Sequence, residues 1–559
     1  MSRTEIKSML EWKDIDWKTA EKNVFKLQKR IYNASKSGNV RLARKLQKLL
    51  VKSWSARLIA VRRVTQDNKG KNTTGVDGKK SLHPSERLKL AQKLKLSHKS
   101  TPTKRVWIPK PGRKEQRPLG IPTIEERAKQ ALLKQALEPE WEAKFEPNSY
   151  GFRPGRSTHD AISAIRKCIQ FKPKFVLDAD ISQCFDKIDH NKLLEKIDTF
   201  PNFRRQIKAW LKSGVINDDF LENTEAGTPQ GGVISPLLAN IALHGMEKIL
   251  EEHFPGRKDG SIRNCERIYG ERVSVPRLIR YADDFVVINE KLAVVEECTE
   301  IIKTWLGDLG LELKPSKTRI VHTLERHQGQ EPGFNFLGCN IRQYKEGKHT
   351  SKKIKSRFGE KLKPYSIIVK PSKESIKNHY DKIAAVVHKH RANSQEVLIK
   401  ELTPIIRGWC NYYAYHNSKE AFNELDYLIY KRLWRWACRR SRMKKTAGWI
   451  AQRYWLTIGN TKWNFAYKSK EGIIKLPHYR ETQASKTYVK VKGDASPYNG
   501  DDNYWSKRLG DKYKTSDSQK ARIIKRQAGK CTECGLTFKT GDIALRASQI
   551  GEPSDWRRT

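Results

Sequence analysis

Leu278-Ile-Arg-Tyr-Ala-Asp-Asp-Phe-Val-Val-Ile288 is the stretch on which the reading of this chain turns. Two β-prone runs meet there at a tight turn that carries Asp283 and Asp284. A single Asp in a hairpin turn is ordinary, but adjacent carboxylates repel in a compact fold unless cations neutralise them. A second acidic strand end lies about a hundred residues earlier, Phe175-Val-Leu-Asp-Ala-Asp180, followed by Ile181-Ser-Gln-Cys-Phe185. Two strands that bring carboxylates to one sheet edge can hold two hard divalent ions, the arrangement that nucleotidyl transfer needs. Side-chain alternation along a strand predicts that Asp283 and Asp284 point opposite ways. That ranks Asp180 and Asp283 as the main ligands and Asp284 behind them, with Asp178 an open rival on the face of Asp180.

Outward from this pair, residues 81–344 alternate short β-prone runs with helical segments such as Glu125–Phe145, an α+β texture. Upstream, Thr19–Arg63 reads as helix, with Val24, Leu27, Ile31, Leu42, Leu46 and Leu50 on the apolar side. Lys26, Lys29, Arg30, Arg41, Arg44, Lys45 and Lys48 occupy the other side, either a solvated face or a surface for RNA. Downstream, Ser372–Met443 has helical periodicity, and Asn417 followed by Glu420 reads as the cap of its last helix. Lys431, Arg435, Arg439 and Arg442 line one side of that helix, while Trp434 and Trp436 read as core, with base-stacking platforms beside the basic face the alternative. Beyond Lys486 the chain becomes polar and turn-rich.

Composition sets the partner class. The chain has 559 residues, and 111 Lys and Arg against 62 Asp and Glu give 111 − 62 = +49, a balance suited to a polyanion. Its 15 Trp and 19 Tyr exclude a disordered basic tail. Nine cysteines, an odd number, argue against a disulfide framework and for a reducing compartment. No run of apolar residues is long enough to span a membrane, so no membrane partner is expected.

Tyr281-Ala-Asp-Asp284, Asp180-Ile-Ser-Gln-Cys-Phe185 and Gly227-Thr-Pro-Gln-Gly-Gly-Val-Ile-Ser-Pro-Leu-Leu-Ala-Asn-Ile241 resemble the signature blocks of the reverse transcriptases encoded by bacterial group II introns. Ile108–Pro111, Arg117–Thr123, Ser149–Gly155, Gly310–Thr318 and Phe334–Gly338 follow the family's remaining blocks in order. The resemblance implies a right-hand polymerase. Its parts are an N-terminal helical extension (1–80), fingers and palm (81–360), an all-α thumb/maturase domain (361–480) and a small DNA-binding tail (481–528). It implies two Mg²⁺ ions, replaceable by Mn²⁺, on Asp180, Asp283 and Asp284 with the carbonyl of Ile181. It also implies cations on the incoming triphosphate at Lys110 and Arg117, an aromatic under the deoxyribose at Phe185, and a nucleotide contact at Gln230. Lys317 falls where the family has a lysine near the leaving phosphates, and Phe336, Leu337 and Gly338 match its primer grip.

The expected partners are a group II intron RNA, target DNA with a primer 3′ end, and dNTPs, in the bacterial cytoplasm. Lys26, Lys29, Arg30, Arg41, Lys45, Lys431, Arg435 and Arg439 are the expected RNA contacts. The carboxy terminus departs from the family: residues 529–559 contain Cys531-Thr-Glu-Cys534 but no His and no further Cys. One Cys pair cannot fill a tetrahedral zinc site, so a truncated HNH nuclease remnant without zinc or endonuclease activity is expected. The expected function is RNA-directed DNA synthesis together with intron splicing support and target-primed retrohoming. A splicing maturase with little polymerase activity is the alternative, and the retained Asp180, Asp283, Asp284, Gln230 and Phe185 argue against it. RNA-templated RNA synthesis is a third reading, disfavoured by Phe185.

Overall fold

The computed structural model describes residues 11–109, 115–217, 220–222, 224–228, 230–255, 274–346, 353–356, 359–362, 365–441, 445–484, 486–510, 513, 545–547 and 556–558. The expectations for Lys110, Arg442, Cys531 and Cys534 lie outside these residues.

Strands β1 (Thr103–Pro109), β2 (Gln116–Ile121), β4 (Val215–Asn217) and β5 (Phe220–Glu222) form one sheet in the order β2-β1-β4-β5. A second sheet has the order β6-β7-β3-β8, from β3 (Phe175–Asp180), β6 (Arg277–Tyr281), β7 (Asp284–Asn289) and β8 (Arg319–His322), all antiparallel. Its two faces sort by parity. Leu177, Ala179, Leu278, Phe285 and Val287 face one core with the helix Leu292–Gly307, while Val176, Ile279, Val286 and Ile288 face another with the helix Thr158–Cys168. A strand covered on both sides needs an almost unbroken apolar run, which is why β7 carries no polar residue between Asp284 and Asn289.

The expected N-terminal helix is three: Trp17–Lys36, Val40–Lys52 and Trp54–Arg62. Gly38, at φ +73°, turns the chain after the first, and the Asp16 and Asn39 side chains accept from the backbone N–H of Thr19 and Leu42 to cap the first two. Val24, Ile31, Leu46 and Leu50 are buried as expected, but Leu42 is exposed because the buried stripe of its helix begins at Ala43.

β9 (Phe334–Phe336) and β10 (Cys339–Lys345) join β13 (Tyr365–Pro371) in a sheet, with a hairpin β11 (Lys353–Ser356) and β12 (Gly359–Leu362) between. Helices Lys373–Lys389, Gln395–Tyr413 and Lys419–Arg440 follow. Two expectations fail here. The 361–480 region is not all-α: β14 (Trp455–Ile458), β15 (Thr461–Ser469) and β16 (Gly472–Lys475) form an antiparallel sheet whose turns use Gly459 and Gly472 at positive φ. Asn417 is not the helix cap. Ser418 is, and the Asn417 side chain accepts instead from the N–H of Val369, tying β13 to the helix start.

The stretch after Lys486 is no loose tail within the described residues. Trp505, in the helix Asp502–Leu509, is completely buried, and Val491, Tyr498 and Tyr513 join the same core. The Asp160 carboxylate accepts from Arg508 Nη2 at 2.6 and 2.8 Å and from the Val491 N–H at 2.7 Å. No helix among the described residues is long and apolar enough to cross a membrane.

Candidate active site

β3 and β7 pair so that Asp180 stands directly across from Asp284, and cross-strand partners share a face. Asp283 precedes the strand, in the turn after Ala282, whose φ of +59° is a left-handed conformation unusual for alanine. Strand alternation therefore does not set Asp284 behind Asp283, because Asp283 is not a strand residue. The Ile181 N–H donates to the Asp283 carbonyl at 3.4 Å, and the Asp180 carbonyl accepts from the Lys314 N–H at 2.8 Å.

Burial first, and then the Asp180 carboxylate, push the Asp283 pKa above the ordinary carboxylate range. Burial followed by Asp283 and Asp180 does the same to Asp284. Burial and mutual repulsion together disfavour the fully ionised set unless a counter-charge is supplied. Lys317, in the turn Pro315–Lys317, places its ammonium on Asp180. Asp178 is held by Arg319 of β8, whose Nε and Nη2 lie 3.1 and 2.9 Å from one carboxylate oxygen. Burial outweighs that partner and raises the Asp178 pKa, and Asp180 has a cationic partner as well, so the pairing does not separate the two acids. Among the described residues no group of three or more His, Cys, Asp or Glu is close enough to form a metal cage. The three acids nonetheless supply the hard oxygen donors that Mg²⁺ prefers, so the donor chemistry fits.

Three elements that the sequence reading left without a role position this turn. Arg280, fully buried, donates to the Ala282 carbonyl and Asn240 Oδ1, both at 3.1 Å, and to Ser149 Oγ at 2.8 Å. Asn240 in turn donates to the Gly151 carbonyl at 2.8 Å. A Cβ on Gly151 would lie 2.4 Å from the Ala282 nitrogen, so only glycine lets the two backbones touch. The signal was available in a charged residue amid the apolar Leu278–Tyr281 run.

The residues expected on the nucleotide side converge by backbone. Gly227 packs against the Asp186 backbone, where a Cβ would meet it at 2.5 Å, and Gln230 donates to the Asp186 carboxylate at 2.9 Å. The Gln230 carbonyl accepts from the Gly120 N–H at 2.7 Å, joining this loop to β2, which carries Arg117. Arg117 acts electrostatically on both Asp186 and Asp283. Half-buried Phe185 meets Phe152 edge-on at 6.4 Å.

Phe336 is buried at the end of β9, and Leu337 and Gly338 turn at φ +49° and +77°. Tyr412 Oη donates to the Leu337 carbonyl at 2.8 Å and Tyr413 Oη to the Gly338 carbonyl at 2.9 Å, a pair of anchors the sequence reading did not assign. Of the basic residues, Lys26, Arg30, Arg41, Lys45, Lys431, Arg435 and Arg439 are exposed. Lys29 departs from that set: it is half-buried and pairs with Asp502 at 3.1 Å.

Acids opposed across a strand pair in an α+β unit, followed by a largely helical unit that holds the Phe336–Gly338 turn, fit the class that the sequence blocks resemble, a reverse transcriptase joined to a maturase domain. The comparisons agree: residues 108–341 match the family model for reverse transcriptase (RNA-dependent DNA polymerase), 12–94 that for the N-terminal domain of reverse transcriptase, and 376–455 that for the group II intron maturase-specific domain. Protein YkfC of Escherichia coli is 32% identical over 395 residues, 65% of this chain and 96% of that protein. The group II intron-encoded protein LtrA of Lactococcus lactis is 29% identical over 471 residues, 72% of this chain and 76% of LtrA. Maturase-like protein 1 of Euglena gracilis is 28% identical over 427 residues, 74% and 80% of the two chains. The chain belongs to the family of group II intron-encoded reverse transcriptases and maturases.

Proposed function

We propose that the protein binds a group II intron RNA, supports its splicing, and copies it into DNA from a primer at target DNA. The observation that carries this reading is the pairing of Asp180 with Asp284 beside the Asp283 turn, in a chain that also has a maturase domain. In a right-hand layout, residues 81–360 form fingers and palm and 361–480 the thumb and maturase part. Asp180, Asp283 and Asp284 hold divalent cations, whose chemistry is to offset charge on the attacking and leaving oxygens of an in-line displacement.

The chain's own groups do the positioning. Lys110 and Arg117 bind the triphosphate of the incoming dNTP, and Gln230 contacts the nucleotide. Lys317 is the cation nearest the leaving phosphates. Phe336, Leu337 and Gly338 hold the primer end. Phe185 closes the space beside the sugar, so Phe185→Ala admits ribonucleotides. The ratio of dNTP to NTP incorporation efficiency falls by roughly 5- to 100-fold. An unchanged ratio makes Phe185 a packing residue, and a parent enzyme that extends with neither substrate favours a maturase of little polymerase activity.

We further propose that residues 529–559 carry no nuclease function. Deleting residues 530–559 leaves reverse transcription and splicing unchanged, and elemental analysis finds no stoichiometric zinc. One tightly held zinc per chain, or cleavage of the second target strand that disappears in Cys531→Ser, contradicts this.

A further inference from the structure

The helix Lys419–Arg440 carries Tyr427, Lys431, Arg435 and Arg439 at intervals of four, so each lies a turn above the last on one exposed stripe. The Lys431 ammonium stands 4.2 Å from the centre of the Tyr427 ring. At the Tyr427 end the stripe opens into a cavity of about 550 Å³ between this helix and the β14–β16 sheet, with Tyr427, Tyr430, Lys462, Trp463 and Arg480 in its wall. Tyr427 is 57% exposed and Trp463 50%, two large rings left in water. Trp463 has a φ of +65°, a conformation that side chains other than glycine and asparagine avoid, and meets Tyr430 edge-on at 6.2 Å.

The single carboxylate among the described wall residues, Asp426, accepts from the backbone N–H of Tyr479 and Arg480 at 2.9 and 3.0 Å. Its charge is thus matched by backbone donors, and the cations Lys462 and Arg480 set the sign of the pocket. Exposed aromatic faces at the end of a cationic track suit a strand whose phosphates follow the track while a base stacks in the pocket. A protein partner would have to bring acidic side chains to these cations, whereas an RNA strand brings its own phosphates; a duplex would present no free base face.

We propose that this cavity is a stacking pocket for an unpaired base of the intron RNA, fed by the phosphate track Lys431, Arg435 and Arg439. The proposal rests on the reading that the chain binds intron RNA. Its test is equilibrium binding of the full-length protein to an oligoadenylate of about 20 nucleotides, to an abasic ribose-phosphate strand of equal length, and to an RNA duplex.

Trp463→Ala weakens oligoadenylate binding by about 5- to 100-fold and leaves abasic and duplex binding at the parent's level, while Trp463→Phe keeps most of the affinity. Trp463→Ala leaves the salt dependence of binding unchanged, whereas Lys431→Glu, Arg435→Glu and Arg439→Glu together flatten it. Trp463 is half-exposed and packs edge-on against Tyr430, so the thermal midpoint is read for each variant, and that of Trp463→Phe, which keeps a ring there, matches the parent's. Oligoadenylate affinity unchanged in Trp463→Ala, or an equal loss on the abasic strand, overturns the pocket while leaving intron RNA binding intact. A parent protein that binds no RNA at all overturns the underlying reading and the pocket with it.

Discussion

Asp284 sits among like charges, and the consequence is measurable without any substrate. Its pKa is raised by burial, Asp283 and Asp180, so the folded protein holds a proton there that the unfolded chain would release. Stability therefore declines as pH climbs from the ordinary carboxylate range to the raised value, and stays level beyond it. Asp284→Asn removes the buried charge. In chelator, at neutral pH, urea titration will show this variant more stable than the parent by on the order of 1 kcal/mol, with the gap closing in acid. A variant less stable at neutral pH contradicts the electrostatic account. At this scale the sequence was informative about identity but not geometry. Asp180, Asp283 and Asp284 could be picked out as acids at strand ends. Which of them face one another depended on where the turn ends, a backbone fact set by Ala282 and the distant Gly151.

At the scale of elements, the hairpin β6–β7 is shaped by pieces remote in sequence. Arg280 holds the Ala282 carbonyl, the Tyr150 N–H donates to the Arg280 carbonyl at 2.9 Å, and Gly151 fills the space against Ala282. Gly151→Ala must push the Asp283 turn outward, since Asn240 fixes the Gly151 carbonyl from behind. Single-turnover primer extension falls by about 100-fold or more, at a stability cost of about 1–3 kcal/mol. Parent-level extension would show that the turn tolerates displacement. The strands β3, β6 and β7 were legible because both-sided burial demands largely apolar runs, broken inside β3 only by Asp178 and inside β6 only by Arg280. The β14–β16 sheet was not: Trp455, Phe465 and Tyr467 alternate only over short, bulged strands, and strong helical periodicity nearby dominated the reading.

Across the whole molecule, the strand unit that ends in the Leu337–Gly338 turn and the helices of the maturase-specific match are joined by direct hydrogen bonds. Tyr412 and Tyr413, on the helix Gln395–Tyr413, hold the Leu337–Gly338 turn, and the segment around Trp505 docks through Asp160 and Gly155 onto the unit that bears the acids. That docking was illegible in sequence because Ser496–Gly510 is polar and turn-rich, and its burial depends on one Trp fitting over one glycine. On the proposed function the molecule separates chemistry from grip: a few acids at one sheet edge, and exposed cations such as Lys431, Arg435 and Arg439 elsewhere. The most direct measurement is primer extension on an RNA template by Asp180→Asn and Asp283→Asn, made on the same preparations as a titration of RNA affinity. Extension falls by about 1,000-fold or more in both variants, while RNA affinity stays within about 2-fold of the parent's. Near-normal extension by either variant would contradict the assignment of these acids to the chemistry.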